Sequence, residues 1–369
     1  MMGYNHKTYQ RKWDERISSL KRKYFPKKHF FSETNKKVYL NGLLGSLKSD
    51  VRFVYSQMVA VAKQLKVFGF SISKEYGLPL HVQLYRLLYL TLIVKTNAHQ
   101  FRKRLLFKDE SWKNVTSYDY GQTQTQLWLA KCSFPDEVPI IEDKFRFYKF
   151  CTKNKIRTPE VIAVFSKGRQ YYPDNSSFDL PFGDLFIKDR TGGKGIHTKK
   201  FTFHHGLYKD SNQIRYTKKE LKKFIIDYSH KCDLIVQRNL VNHGLLTFFT
   251  SGGLSTCRVI TVKSLGKDYI KPLFAVLRMS CGNKDVDNYA QGGLLSTVNI
   301  ATGVLGRAVT YLPYKGKFEF DVHPDTNQNI NGTQLPFWKD MLEFTLASHK
   351  KFSSLVVGWD VCYSTDGVY

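Results

Sequence analysis

A chain of 369 residues, 42% hydrophobic and 15% aromatic, is long enough for two or three domains and too apolar for a disordered protein. Its 57 Lys and Arg against 31 Asp and Glu give a formal net charge of +26. That balance suits an anionic partner, whether nucleotide, nucleic acid, acidic polysaccharide or anionic membrane surface, and does not choose among them.

The first residues, "MMGYNHKTYQRKWDER", contain no apolar signal segment, and the longest apolar run, "LLYLTLIV" (Leu87–Val94), is too short to cross a bilayer. The reading is a soluble or peripheral protein. Residues 1–140 hold 24 Lys and Arg against 10 Asp and Glu, so more than half of the excess charge lies in the first part of the chain. Residues 1–130 read as a basic, mostly helical region. In "VRFVYSQMVAVAKQLKVFGF" the residues Val51, Val54, Met58, Val61 and Leu65 recur at three- and four-residue steps, and "LYRLLYLTLIVKT" is a second such stretch. The block "RKWDERISSLKRKYFPKKHFF" mixes cations with aromatics, a composition that serves a solvated helix face or a contact with an anionic surface.

From about Pro139 the texture changes. "IIEDKFRFYKFCTKNKIRTPEVIAVF" predicts an amphipathic helix, a short loop and a Pro-led strand. Beyond it, β-rich segments ("LFIKD", "LIVQRNL", "STCRVITVKS", "PLFAVLRM") alternate with helical ones ("KKELKKFIIDYSH", "LPFWKDMLEFTLASHKKF"). Strands that come as hairpins between single helices predict an α+β arrangement of antiparallel sheets, not a doubly wound parallel one. The six cysteines, Cys132, Cys151, Cys232, Cys257, Cys281 and Cys362, form no CxxC pair and no Cys/His cluster in sequence. They read as buried free thiols in a reducing cytoplasm, not as a zinc site or disulfide framework.

Four segments carry chemistry. "LFIKDRTGGKGIHTKKF" puts Lys188 on a strand before a glycine-rich turn, Gly192, Gly193 and Gly195, whose backbone N–H groups could close on phosphate oxygens. It is not a Walker A loop, because no GxxxxGK[ST] opens a helix. "GGLSTCRVITV" places Arg258 among apolar strand neighbours, either as an edge residue or as a guanidinium aimed at an anion. "LRMSCGNKDVDNYAQGGLLSTV" ends a strand with Arg278 and continues into a polar loop with Asp285, Asp287 and Asn288 before Gly292 and Gly293. "VVGWDV" holds Asp360 in an apolar strand, where a carboxylate needs a cation, a metal or strong donors.

In this order the segments resemble the ATP-grasp enzymes, and more narrowly the sugar-transfer-associated ATP-grasp family found with bacterial exopolysaccharide genes. The resemblance covers roughly residues 140–369, through "EDKFRFYKFCTKNKIRTPE", "FIKDRTGGKGI", "LIVQRNLVNHG", "LSTCRVITV", "LRMSCGNKDVDNYAQGGL", "TVNIATGVLG", "HPDT" and "VVGWDV". It implies an ATP-grasp fold over 131–369, divided at about 180 and 245, after the basic region 1–130. It implies that Lys144 and Lys188 contact the ATP phosphates and that Gly192, Gly193, Lys194 and Gly195 form a mobile loop over them. Gln237, Arg238, Asn239 and Leu240 would be the hinge against adenine, although many members carry an acidic residue where Arg238 stands. Arg258 and Arg278 would steady the transferring phosphate, Asn288 would help hold phosphate or acceptor, and Asp360 would bind Mg²⁺.

The activity so implied is ATP- and Mg²⁺-dependent ligation of a carboxylate, such as a sugar acid, to an amine through an acyl-phosphate. The setting would be exopolysaccharide or capsule assembly, in the cytoplasm or at the inner face of the plasma membrane beside polysaccharide-assembly enzymes. Two other readings stand beside it: a degenerate ATP-grasp protein that binds an anionic polymer or membrane surface, and an ATP-dependent phosphotransferase. Arg258 and Asp360 inside apolar strands speak against nucleic acid as the partner, since polymer binding alone requires neither there. In the family a further strand supplies a Glu and, two residues on, an Asn, which share Mg²⁺ with the earlier Asp. The sequence reaches "STDGVY" first, so the expectation is a truncated chain with one of three metal ligands and impaired phosphoryl transfer.

Overall fold

The computed structural model describes residues 54–94, 96–118, 132–174, 179–192, 197–250, 252–264, 269–282, 287 and 289–369. The cation-rich block 11–31, Gly193, Lys194, Gly195, Asp285 and Asn288 lie outside them. The chain divides into two compact units, residues 1–131 with 313–318, and residues 132–312 with 319–369. No helix of the described residues is long and apolar enough to cross a membrane.

The first unit is helical. Residues 54–76 run as one helix with a π-turn at Leu65–Gly69, and Leu80–Leu88 continues into a second π-turn at Tyr89–Ile93. Val61, Ile72, Leu87, Leu90, Phe101, Leu106, Phe107 and Phe318 pack as its core. The apolar stripe read from the sequence holds at Val61 and fails at Val54, which is 44% exposed; Gln57 turns inward on that helix instead. Arg86 is buried because its guanidinium donates to the Leu106 and Phe107 carbonyls and pairs with Asp109 at 2.5 Å.

In the second unit a short helix, Val138–Glu142, precedes helix α1 (Lys144–Lys153), which is capped by the Asp143 carboxylate accepting from the N–H groups of Phe145 and Arg146. Strands β1 (Val161–Ser166), β2 (Arg169–Tyr172), β3 (Leu185–Asp189), β4 (Lys199–His204), β5 (Leu207–Asp210), β6 (Arg215–Tyr216) and β7 (Leu234–Arg238) form a seven-stranded antiparallel sheet in the order β2-β1-β7-β3-β4-β5-β6. Strands from both sides of residue 180 share this sheet. Helix α2 (Lys218–Tyr228), opened by a Thr217–Glu220 capping box, packs Leu221 and Ile225 with Phe165, Leu185, Phe201 and Tyr208. Phe145 of α1 packs with Val161, Val164 and Ile235.

The second sheet contains β8 (Thr256–Lys263), β9 (Ile270–Met279), β10 (Leu294–Val298), β11 (Leu305–Tyr314), β12 (Lys317–Phe320) and β13 (Val356–Val361), in the order β12-β11-β10-β9-β8-β13. Helix α3 (Trp338–His349) follows β12. A short hairpin, β14 (Tyr363–Ser364) and β15 (Gly367–Val368), turns at the "STDG" sequence. Alternation along the strands sorts their side chains. Cys257, Val259 and Thr261 of β8 and Val357, Trp359 and Val361 of β13 are buried, which leaves Arg258 and Asp360 on the other face. Behind that face the Trp359 indole N–H donates to Thr261 Oγ1 at 2.9 Å, and Thr261 in turn meets His349 Nδ1 at 2.7 Å. The two strands are therefore locked in register from inside.

Candidate functional site

Cross-strand register brings the charged residues together. Asp360 of β13 lies opposite Arg258 of β8, and Arg278 of β9 lies opposite Thr256, two residues along β8 on the same face. Arg258 donates to Asp360 through Nε and, at 2.7 Å, through a terminal nitrogen; Arg278 reaches the same carboxylate at 2.6 Å. Burial raises the Asp360 carboxyl, but the hydrogen bonds and charges of the two guanidinium groups outweigh it and hold the group below its ordinary value. Asp287 accepts from the Thr256 N–H at 3.0 Å and from its hydroxyl, with Arg278 Nε 3.7 Å away. Burial pushes the Asp287 carboxyl up, with the Asp360 charge adding to it and Arg278 and Thr256 opposing.

Thr256, Arg278, Asp287 and Asp360 border a cavity of about 600 Å³, a size that suits a nucleotide or similar ligand. The six-stranded layer supplies Thr256, Arg278, Asp287 and Asp360, and Cys362 follows β13; the other layer supplies Lys188 and Lys200 from its strands and Lys144 from α1. Lys188 is half-buried, and among the described residues its ammonium has no ion-pair partner. Desolvation and the neighbouring Lys144 charge lower its pKa to about 8, against the opposing pull of Asp360. Lys144 is lowered too, by desolvation, with Asp189 and Asp143 opposing.

Lys144 is held by the root of the glycine-rich turn. Its backbone N–H donates to the Arg190 carbonyl at 3.1 Å, and its ammonium donates to the Gly192 carbonyl at 2.5 Å. Gly192 is a glycine for a steric reason, because a Cβ there would stand 2.6 Å from the Asp189 carboxylate. That carboxylate folds the turn by accepting from the N–H groups of Thr191 and Gly192, each at 2.9 Å. Arg190 makes a two-pronged contact with Asp143, the residue that caps α1, at 2.6 and 2.9 Å.

The segment expected from the resemblance to be the hinge also lines the cavity, from Gln237 to Asn242. Gln237 is buried and donates its amide to the Pro159 carbonyl at 3.1 Å. The Arg238 N–H goes to the Glu160 carbonyl and the Asn239 N–H to the Asp184 carbonyl. The side chain of Arg238 bridges Glu160 and the Phe182 carbonyl, at 3.3 and 2.9 Å, and so braces β1 against the segment before β3. Asn242 ties the segment to the start of β8, donating to the Gly253 carbonyl and accepting from the Ser255 N–H.

Of the residues singled out from the sequence, Lys144, Lys188, Gln237, Arg238, Asn239, Leu240, Arg278 and Asp360 border the cavity. Arg258 does not; it stands behind, bonded to Asp360. Gly192 is the one residue of the 192–195 loop among those described, and it is bound to Lys144. Sequence reading missed Lys200, the Thr256–Asp287 pair and the Asp143–Arg190 clamp. For the first, the only signal is its place in the strand Lys199–His204 that follows the glycine-rich turn; the other two join residues far apart in sequence. Four of the cysteines are buried as expected, but Cys132 and Cys232 are only half-buried, and Cys232, taken as an isolated thiol, lies beside Asp189 and His197.

The donor set suits Mg²⁺ in kind, since Asp287 and Asp360 are hard oxygen donors that border the cavity together with Lys144, Lys188 and Arg278. Their oxygens are engaged by guanidinium and hydroxyl groups, which an ion would have to replace.

No curated protein matches the chain. Among solved structures it is similar to the ADP complex of N5-carboxyaminoimidazole ribonucleotide synthetase, with 9% identity over 70% of this chain and 54% of that one, and a TM-score of 0.37. It is similar to L-amino acid ligase from Bacillus licheniformis, with 10% identity over 73% of this chain and 45% of that one, at a TM-score of 0.33. A third is N5-carboxyaminoimidazole synthetase from Staphylococcus aureus complexed with ADP, with 9% identity, 67% and 76% coverage and a TM-score of 0.27. The chain spans about half the length of the first two. The family described as sugar-transfer associated ATP-grasp matches residues 125–369. The chain belongs to that family, and its α+β architecture, with antiparallel sheets, is the ATP-grasp fold.

Proposed function

We propose that the protein is an ATP- and Mg²⁺-dependent carboxylate–amine ligase that works through an acyl-phosphate, joining an amine or amino acid to a sugar carboxylate in exopolysaccharide or capsule assembly. The observation that carries this reading is the pair of desolvated lysines, Lys144 and Lys188, on a cavity whose other layer holds Arg278 and Asp360. An ammonium lowered by burial and by a neighbouring cation, with no carboxylate paired to it, is a place where a polyphosphate gains more than it would in water.

In the reaction proposed, Lys144 and Lys188 hold the ATP phosphates, and the Gln237–Leu240 segment lies along the base. Arg278, with Arg258 fixing Asp360 behind it, stabilises charge on the transferring phosphoryl group. A carboxylate oxygen attacks the γ-phosphorus and the bond to the β-phosphate oxygen breaks, with its electron pair leaving on ADP. The amine nitrogen then attacks the acyl carbon, the bond to phosphate oxygen breaks, inorganic phosphate departs and the nitrogen gives up a proton to solvent. Asp360 and Asp287 would hold Mg²⁺, which when bound offsets the phosphate charge. Asn288, Gly193, Lys194 and Gly195 keep the phosphate and acceptor roles that the resemblance implies.

The test is ADP release by the purified protein against a panel of uronic acids and amines, with products identified by mass spectrometry. An amide that forms only with ATP, carboxylate and amine together supports the ligase. A stable phosphorylated product with no amide would make it a phosphotransferase, and nucleotide-independent binding of acidic glycan alone would make it a binding protein.

A further inference from the structure

The seven-stranded sheet carries a second cluster that the ligase chemistry does not use. Asp189 ends β3, His197 stands two residues before β4, and Cys232 lies in the turn between α2 and β7. One carboxylate oxygen, one imidazole nitrogen and the Cys232 sulfur lie within 4.8 Å of one another. The His197 Nδ1 to Asp189 Oδ2 distance is 3.6 Å, long for a hydrogen bond. It is close to what one tetrahedral ion requires, since two bonds of about 2.0–2.1 Å place N and O ligands about 3.3–3.4 Å apart.

The two oxygens of Asp189 are divided between tasks. Oδ1 takes the N–H groups of Thr191 and Gly192, while Oδ2 faces His197. An ion on Oδ2 therefore leaves the turn intact. His197 holds φ at 58°, in the left-handed region, and its ring stands edge-on to Tyr228 at 6.0 Å between centroids. Its side chain is 42% exposed, so the cluster is open to solvent on that side, where a water can complete the coordination.

We propose that Asp189, His197 and Cys232 form a binding site for a divalent transition metal of the Zn²⁺ class, which fastens the root of the glycine-rich turn to the start of β7. A mixed oxygen, nitrogen and sulfur set selects a borderline ion over Mg²⁺ or Ca²⁺. The site is separate from the carboxylates assigned to Mg²⁺, and its test needs neither ATP nor turnover.

Chelator-treated, tag-free full-length protein is titrated with Co²⁺ and then Zn²⁺. The expected result is one Co²⁺ per chain, with thiolate-to-cobalt charge-transfer absorption and tetrahedral ligand-field bands that vanish as equimolar Zn²⁺ is added. Cys232→Ser removes the charge-transfer band, and His197→Ala weakens Co²⁺ binding at least about tenfold. Cys132→Ser, at the other partly exposed cysteine, leaves the spectrum unchanged. Absence of the band in the unmodified chain, or its survival in Cys232→Ser, overturns the proposal.

Discussion

The two layers that border the cavity treat charge in opposite ways. In the six-stranded layer the two arginines at the site each have a carboxylate: Arg258 and Arg278 share Asp360, and Arg278 also approaches Asp287. In the seven-stranded layer Lys188 has no such partner among the described residues, and Lys144 is bonded to carbonyl oxygens. The first arrangement fixes positions and needs no ligand to be stable. The second is uncomfortable until an anion arrives. A site built this way separates affinity, assigned to the lysines, from alignment, assigned to the arginine–aspartate lattice.

The sharpest way to break that division is Lys188→Ala. Loss of the unpaired cation should lower ATP-dependent ADP release about 100-fold or more, with most of the loss in nucleotide affinity. Turnover equal to the unmodified protein would end the assignment. Asp360→Asn should act on the other side, lowering single-turnover ADP formation about 100-fold while ATP affinity, followed by a fluorescent nucleotide, changes less than about tenfold. Equal losses in both measurements would erase the distinction between the layers.

Titration gives a third, smaller effect. The Lys188 ammonium is lowered to about 8, so its charge is present below that pH and lost above it. ATP affinity should therefore fall as pH rises through about 8, by up to about tenfold per unit. Lys188→Arg, which stays charged, should remove the inflection. The same shift has a stability side with the opposite sign. The charged form is disfavoured in the folded protein, so the destabilisation is full below about 8 and is relieved towards the ordinary lysine value. Smallest of all is Arg238→Ala. Its contacts with Glu160 and Phe182 lie at the surface, so the free energy of unfolding should drop by about 0.5 kcal/mol and ATP affinity should change less than about threefold.

How much of this was legible in the sequence depends on the range of each interaction. Strand alternation alone places Arg258 and Asp360 on the faces opposite Val259 and Trp359, and both faces are as that pattern predicts. Their pairing joins residues 102 positions apart, and no local signal specifies a register that is set by Trp359, Thr261 and His349 on the hidden face. The segments singled out from the sequence form as α1, β1, β3, α2, β7, β8, β9, α3 and β13, whereas β2, β4, β5, β6, β10, β11 and β12 are not singled out there. At Val54 the reading fails, since periodicity marks a stripe but does not say whether the core extends beneath it. Arg238 is instructive in another way: an unexpected cation in the hinge is explained by an acidic residue and a carbonyl that only the folded chain brings near.

Asp143 has a consequence for acid conditions. It begins helix α1 and grips Arg190, which fixes the distance between the segments that carry Lys144 and Lys188. Burial raises its carboxyl, but the bonds from Arg190 and from the helix N–H groups prevail and hold it below the ordinary carboxylate range. The clamp is therefore at full strength above the usual aspartate pKa and is released only as pH falls through this lower value. In moderate acid the spacing of the two ammonium groups survives, so a nucleotide lost there leaves because its own phosphates gain protons, while the protein keeps the cradle set for the next one.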